Sequence, residues 1–205
     1  MANENKITPQ KVEGLQHFPF KTFQEFRKAN LEGLITIGIN RGIAREWMWG
    51  GKYSPTFWKF VSMILHWIPF LLVLGFIIFA LASKEFLLLL ALPLFVIAYF
   101  LFNPSAIIFG IFRSGLIFLT FIGFLYGLFF GHQSILLITG VMLGIWYSEK
   151  ILYSKSADIL REEVLEHEDL LCALFQGRVL SIRFYNGDTY WVDFKEEGGK
   201  LTHYR

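Results

Sequence analysis

The sequence predicts an α-helical integral membrane protein, and three observations carry that prediction. Hydrophobic side chains make up 54% of the 205 residues, above the roughly 45–50% of ordinary soluble domains, and mean hydropathy is +0.47. Between residues 60 and 148 the only formally charged side chains are Lys84, Glu85 and Arg113, so no water-facing surface can be built from that stretch. Lys and Arg collect at the ends, nine before residue 60 and eight after residue 148 out of 19. The expected architecture is four transmembrane helices in two hairpins, an N-terminal amphipathic helix, and a small cytoplasmic C-terminal helix with a β-hairpin or meander. In residue terms this gives a flexible N-terminus over 1–19, an amphipathic interfacial helix in 20–52, the four-span membrane domain in 53–150, and a cytoplasmic helix with a small antiparallel sheet in 151–205.

The N-terminal stretch is polar and lacks the apolar core and small-residue cleavage site of a secretory signal, so the first span is expected to act as an uncleaved insertion signal. Residues 22–49 read as one helix. Thr22 and Glu25 form a capping box, Phe23, Phe26, Leu31, Leu34, Ile35 and Ile39 supply an apolar side, and Gly50-Gly51 ends it. Arg27, Lys28, Arg41 and Arg45 line the polar side, with Trp47 and Trp49 at the end. Basic residues opposite an apolar face, followed by aromatics, suit a helix lying on an anionic leaflet. Arg41, Arg45, Trp47 and Trp49 are therefore the candidate interface residues. Packing of the same helix against this protein or a partner is the alternative.

Polar breaks at Ser83-Lys84-Glu85, Asn103-Pro104-Ser105, Arg113-Ser114 and Gly131-His132-Gln133 divide the apolar region. They predict spans over 56–82, 86–102, 114–130 and 134–147. A helix needs roughly 17–25 residues to cross a ~30 Å core, so the first span is ample and the fourth must borrow from its flanks. Ser54 and Pro55 supply a start signal for the first, and Pro69 and Pro93 are expected to kink spans one and two. Residues 104–112 either lie along the interface or extend the third span with Arg113 inside it. The charge asymmetry places both ends in the cytoplasm, and the expected location is a bacterial inner (plasma) membrane.

Past the fourth span, residues 158–175 keep helical periodicity through Leu160, Val164, Leu171 and Leu174 and can continue the span as one helix. Alternation then begins: residues 179–185 and 188–194 flank Asn186-Gly187, a strong hairpin signal. A two-residue loop there sets Ile182 opposite Trp191 and Arg183 opposite Tyr190. Gly198-Gly199 is expected to turn the chain into a third strand at 201–204. The expected strands carry apolar or aromatic residues on both faces, which makes Tyr185, Tyr190, Trp191 and Phe194 candidate partner-docking residues.

No phosphate loop, His-Glu-x-x-His, nucleophile elbow or Cys-x-x-Cys occurs, so no catalytic residue, cofactor or nucleic-acid role is assigned. Glu163, Glu166 and His167 share a helix face but read as a solvated surface, so no metal is assigned. The single cysteine, Cys172, reads as a small apolar residue. His66 and Arg113 are the candidates for a transport path or a lipid-phosphate contact. Gly123, Gly127 and Gly131, and Gly140 with Gly144, repeat at four-residue spacing, and such faces let helix backbones approach closely. The expected partners are a bilayer with anionic lipid on its cytoplasmic face and a protein partner or a second copy. A non-catalytic scaffold or assembly subunit of a membrane complex fits these features best. A small channel or transporter formed by oligomerisation is the alternative, and an intramembrane enzyme ranks third for want of a polar cluster.

Overall fold

The computed structural model describes residues 11–102 and 110–204. In chain order its elements are α1 (Phe23–Leu31), β1 (Ile35–Ile39), α2 (Arg41–Gly50), α3 (Thr56–Ala82), α4 (Leu92–Phe102), α5 (Gly110–Phe130), α6 (Gln133–Glu166), α7 (Glu168–Gln176), β2 (Leu180–Phe184), β3 (Thr189–Tyr190), β4 (Phe194–Glu197) and β5 (Lys200–His203). Short 3₁₀ turns cover Val12–Gly14 and Phe86–Ala91. The chain divides into two compact units, one of residues 45–156 and one joining residues up to 44 with those from 157 onward.

In the first unit three helices, α3, α5 and α6, are long and apolar enough to cross a membrane, and a shorter apolar stretch covers Phe86–Phe102. Their most apolar windows are only 17%, 11% and 33% buried inside the protein. Phe60, Trp67, Leu71 and Ile78 on α3 and Phe118, Leu119 and Phe129 on α5 stand exposed. Apolar surface on that scale calls for lipid rather than water as solvent. A core of Phe76, Ala80, Leu88, Phe95, Ala98, Phe102, Val141, Met142 and Ile145 joins α3, α4 and α6. The helix α3 runs through Pro69 without interruption. The stretch 86–102 instead changes from 3₁₀ to α at Leu92, next to Pro93, whose missing N–H and bulky ring oppose an α-helix continuing from the preceding turn. Arg113 lies within α5, which has begun by Gly110; most of the 104–112 segment falls outside the described residues.

The second unit is a head of five antiparallel strands in the order β1-β2-β3-β4-β5. It corrects the expectation of a single helix over 22–49. Thr22 does cap α1, accepting from the Glu25 amide, and Glu25 accepts in return from the Lys21 amide. The helix ends after nine residues, because Gly33 at φ +71° lets the Leu34 and Gly33 amides turn back to the Ala29 and Asn30 carbonyls, a left-handed C-terminal cap. Beyond it Ile35, Ile37 and Ile39 alternate as a strand, with Ile35 paired to Phe184 and Ile39 to Leu180. The Asn40 carboxamide then caps α2 through the Gly42 and Ile43 amides.

Residues 11–19, expected to be flexible, are also part of the head as far as the described residues reach. Val12 is buried and its amide donates to Glu168 Oε1 at 2.8 Å. The Phe18 ring packs edge-on to Phe175 at 5.0 Å, and Phe20 stacks near Phe184.

The hairpin forms one residue out of the expected register. Ile182 pairs with Tyr190 and Arg183 with Thr189. The Gly187 amide bonds the Phe184 carbonyl, and Gly187, at φ +96°, is the turn residue with positive φ. This is a three-residue loop with a bulge at glycine. The extra residue moves Tyr190 onto the face of Ile182, where its ring lies 5.4 Å from Phe184. The expected 188–194 strand also breaks, since the Trp191 amide bonds Phe194 and β4 returns beside β3. Gly198 and Gly199, both with positive φ, turn β4 into β5.

The glycine of α5 that lies against the backbone of α6 is Gly127, while Gly123 lies against the Thr139 side chain. A Cβ on Gly127 would sit 2.8 Å from the Leu136 backbone nitrogen, whereas one on Gly115 meets nothing within 4 Å. Gly127→Ala is expected to cost about 1–3 kcal/mol through forced separation of the helices, and Gly115→Ala to stay within ~0.5 kcal/mol. Denaturing-detergent titration of the two variants checks this; equal effects would refute the assignment.

Candidate functional site

The chemistry-bearing residues of the membrane unit converge on one guanidinium. Arg45 projects from α2 and its Nη1 donates to the Tyr153 hydroxyl at 2.8 Å. Its Nη2 lies 2.8 Å from His66 Nδ1, and the Tyr99 side chain also favours its charged form. Glu149 Oε2 stands 3.5 Å from Nη1. Helices α3, α4 and α6 thus each contribute to one cation.

Burial alone would depress the Arg45 pKa, but the Glu149 carboxylate, the Tyr153 hydroxyl and the Tyr99 side chain together raise it above the ordinary value. The guanidinium is therefore cationic at every accessible pH. An arginine suits this position because its planar fork offers five donors, whereas an ammonium offers three. The Glu149 side chain is 2% exposed, and its Oε1 has no hydrogen-bond partner. Trp49 packs edge-on to the His66 ring at 4.9 Å.

Arg45, one of the candidate interface residues, has its side chain turned to protein groups, contacts that helical periodicity does not reveal. Arg41 and Trp49 remain exposed, while Trp47 is half-buried with an unpartnered Nε1. Sequence reasoning reached His66 but missed Glu149, which sits immediately after the uncharged stretch. The available signal was its place within the same apolar helical run, since α6 continues unbroken from Gln133 to Glu166.

Arg113 is half-buried near the start of α5, apart from this cluster's described contacts. Among the glycines, Gly123 faces Thr139, Gly127 faces Leu136, Gly140 approaches Phe124, and Gly144 lies against Leu72 of α3. Gly131 occupies the turn before α6, at φ +71°.

In the head, Leu180 and Ile182 are buried on the sheet face that α7 covers. The opposite face carries Thr36, Gly38, Ser181, Arg183, Thr189 and Glu196, which line a cleft of about 580 Å³. Trp191 borders it and stacks on Phe194 at 4.4 Å. Tyr185 is 92% exposed at the hairpin tip. Of the four docking candidates, Trp191 and Phe194 therefore belong to the open face and Tyr190 to the packed one.

The free edge of β1 is partly closed, because Arg161 Nε donates to the Ile37 carbonyl at 2.9 Å while its Nη1 pairs with Asp158. A second cleft lies along this edge between β1 and the end of α6. A third is lined by Lys84, Glu85 and Ser134, at the end of α3 and the start of α6. Glu163, Glu166 and His167 bring their ligand atoms within 4.8 Å of one another, and His167 Nε2 lies 3.4 Å from Glu163 Oε2. Burial pushes the Cys172 thiol up to about 11, with Glu168 and Asp169 adding to the effect. Such a thiol is inert at neutral pH.

No protein-family model, curated protein or solved structure matches this chain. Function is therefore read from the chemistry of its sites.

Removing Arg45 strands a buried carboxylate. Arg45→Ala is expected to destabilise the membrane unit by about 3–5 kcal/mol, and Arg45→Met with Glu149→Leu to recover most of that loss. Unfolding in mixed detergent measures both. A single-variant cost below ~1 kcal/mol, or a double variant no better than the single, would show that the pair is not a structural tie.

Proposed function

We propose that this chain is a four-span membrane anchor bearing a cytoplasmic docking head, and that it serves as a non-catalytic scaffold or assembly subunit of a membrane complex. The observation that carries the reading is the pairing of β1 with β2. These strands lie on either side of the whole apolar region, and a hydrogen-bonded sheet cannot form across a bilayer. The chain must therefore leave and return on one side, which requires an even number of crossings. Three long helices leave 86–102 to supply the fourth. Six 3₁₀ residues at ~2.0 Å rise and eleven α residues at ~1.5 Å reach about 28 Å, close to the ~30 Å core. The basic residues at both ends support a cytoplasmic placement of that side, with Arg41 and Trp49 meeting anionic lipid and a bacterial inner membrane as the host in this reading.

The head offers a partner protein its uncovered face. Arg183 and Glu196 supply charge, three hydroxyls supply hydrogen bonds, and the Trp191–Phe194 stack supplies apolar area. A second reading, a small transporter, is favoured by the Arg45–Glu149–His66 cluster, since polar groups within membrane helices commonly mark transport paths.

Topology is testable with single-cysteine probes in a Cys172→Ser background. An impermeant reagent added to intact cells is expected to label Ser83→Cys or Gln133→Cys and to spare Thr202→Cys and Glu13→Cys. Labelling of either terminal probe would overturn the even-span reading.

Docking is testable by purification in mild detergent. Trp191→Ala is expected to weaken partner recovery about 30-fold, the equivalent of a ~2 kcal/mol hot spot, while amide spectra show an intact sheet. Unchanged recovery would move the interface elsewhere. A clean homo-oligomer from the parent chain would favour the transporter.

A further inference from the structure

We propose that Glu149 is a proton-binding site within the membrane unit, its Oε1 taking up one proton from water while Arg45 keeps its charge. The geometry provides for two states. In the ionised state, Oε2 faces Arg45 Nη1 at 3.5 Å, beyond the 2.7–3.2 Å of an N–H···O hydrogen bond, so the two meet as a through-space ion pair. An ionised carboxylate offers about four lone-pair sites. Among the described contacts this one guanidinium serves them, and Oε1 is wholly shielded with no partner.

In the protonated state, a new O–H bond forms on Oε1, water loses the proton, and the Arg45–Glu149 pair passes from net zero to net +1. Arg45 is not stranded by that change. It retains the Tyr153 hydroxyl and His66 Nδ1, each at 2.8 Å, together with Tyr99. The titratable groups facing the pair are thus Arg45 from α2, His66 from α3, Tyr99 from α4 and Tyr153 from α6.

The ligand follows from space and charge. None of the three clefts described above is lined by Glu149, and a permanently cationic guanidinium opposes a metal ion at the same carboxylate. A proton needs no cavity and fits an oxygen that is already unpartnered. The site also lies at a common level. Glu149 is sixteen residues from the start of α6 and His66 sixteen from the end of α3, about 24 Å along each helix. The inference does not depend on what the head binds, or on whether the protein transports anything.

The test is pH-difference infrared spectroscopy of the full chain in lipid nanodiscs. Acidification is expected to raise a C=O stretch in the range of a protonated carboxyl without a hydrogen-bond partner, equivalent to one carboxyl per chain. Labelling with ¹³C-glutamate should shift the band, and Glu149→Gln should abolish it. Glu149 is the sole fully buried carboxylate among the described residues, so the labelled parent chain decides the matter even if Glu149→Gln does not fold. Absence of the band in the parent, a band insensitive to glutamate labelling, or a band that persists in folded Glu149→Gln overturns the proposal.

Discussion

Arg45 ties the membrane unit together because a guanidinium largely withdrawn from water has to be surrounded. Taking a cation out of water costs several kcal/mol even after relaxation, and that cost is offset only when its donors are matched. Here the acceptors come from three helices, through His66, Tyr99, Glu149 and Tyr153. Lipid gives helices no hydrophobic reason to associate, so association rests on packing and on polar contacts of this kind. The glycines of α5 and α6 provide the close approach, and Arg45 provides a reason for α2 and the longer helices to stay in one arrangement.

The head imposes a different constraint. Its central pairing joins Ile35 to Phe184 and Ile39 to Leu180, across the whole apolar region of the chain. Such long loops close at an entropic cost before the contacts they make can reward it. The strand β1 must therefore wait unpaired until the last membrane helix and α7 have been made. Its exposed edge would invite pairing with other chains meanwhile. In the finished fold the Arg161 side chain occupies part of that edge, on a helix that continues directly from the final span. The aromatic cluster of Phe18, Phe20, Phe26 and Phe175 then seals the covered side of the sheet.

These two constraints explain why charge placement and fold agree. Basic residues gather at both ends of the chain, and the sheet is built from strands that those two ends supply. The uncovered sheet face and the buried polar cluster are then separate pieces of chemistry, each within its own unit. One is an open cleft lined by charged, hydroxyl and aromatic side chains, and the other holds a carboxylate with an unpartnered oxygen.

Much of the fold was legible from composition and local pattern, because lipid solvent and turn chemistry act through nearest neighbours. Residues 56–82 read as a long apolar helix from hydropathy and flanking polar breaks, and α3 has those bounds. Thr22 announced the start of α1, Asn186-Gly187 announced a hairpin, and Gly198-Gly199 announced the next turn. Residues 35–39 were misread as helix because Leu31, Leu34, Ile35 and Ile39 satisfy a helical spacing by coincidence. The stop at Gly33 and the alternation of Ile35, Ile37 and Ile39 were present in the sequence, but only the distant partner β2 made the strand the better answer. The hairpin register was likewise beyond local reach, since Asn-Gly permits loops of two or three residues and the one formed sets Tyr190 beside Ile182 on the packed face. Arg45 shows the limit most plainly. Its sequence neighbours place it on a polar helix face, yet its side chain turns to His66, Tyr153 and the buried Glu149, the last more than a hundred residues away, because a charge drawn out of water needs its opposite beside it.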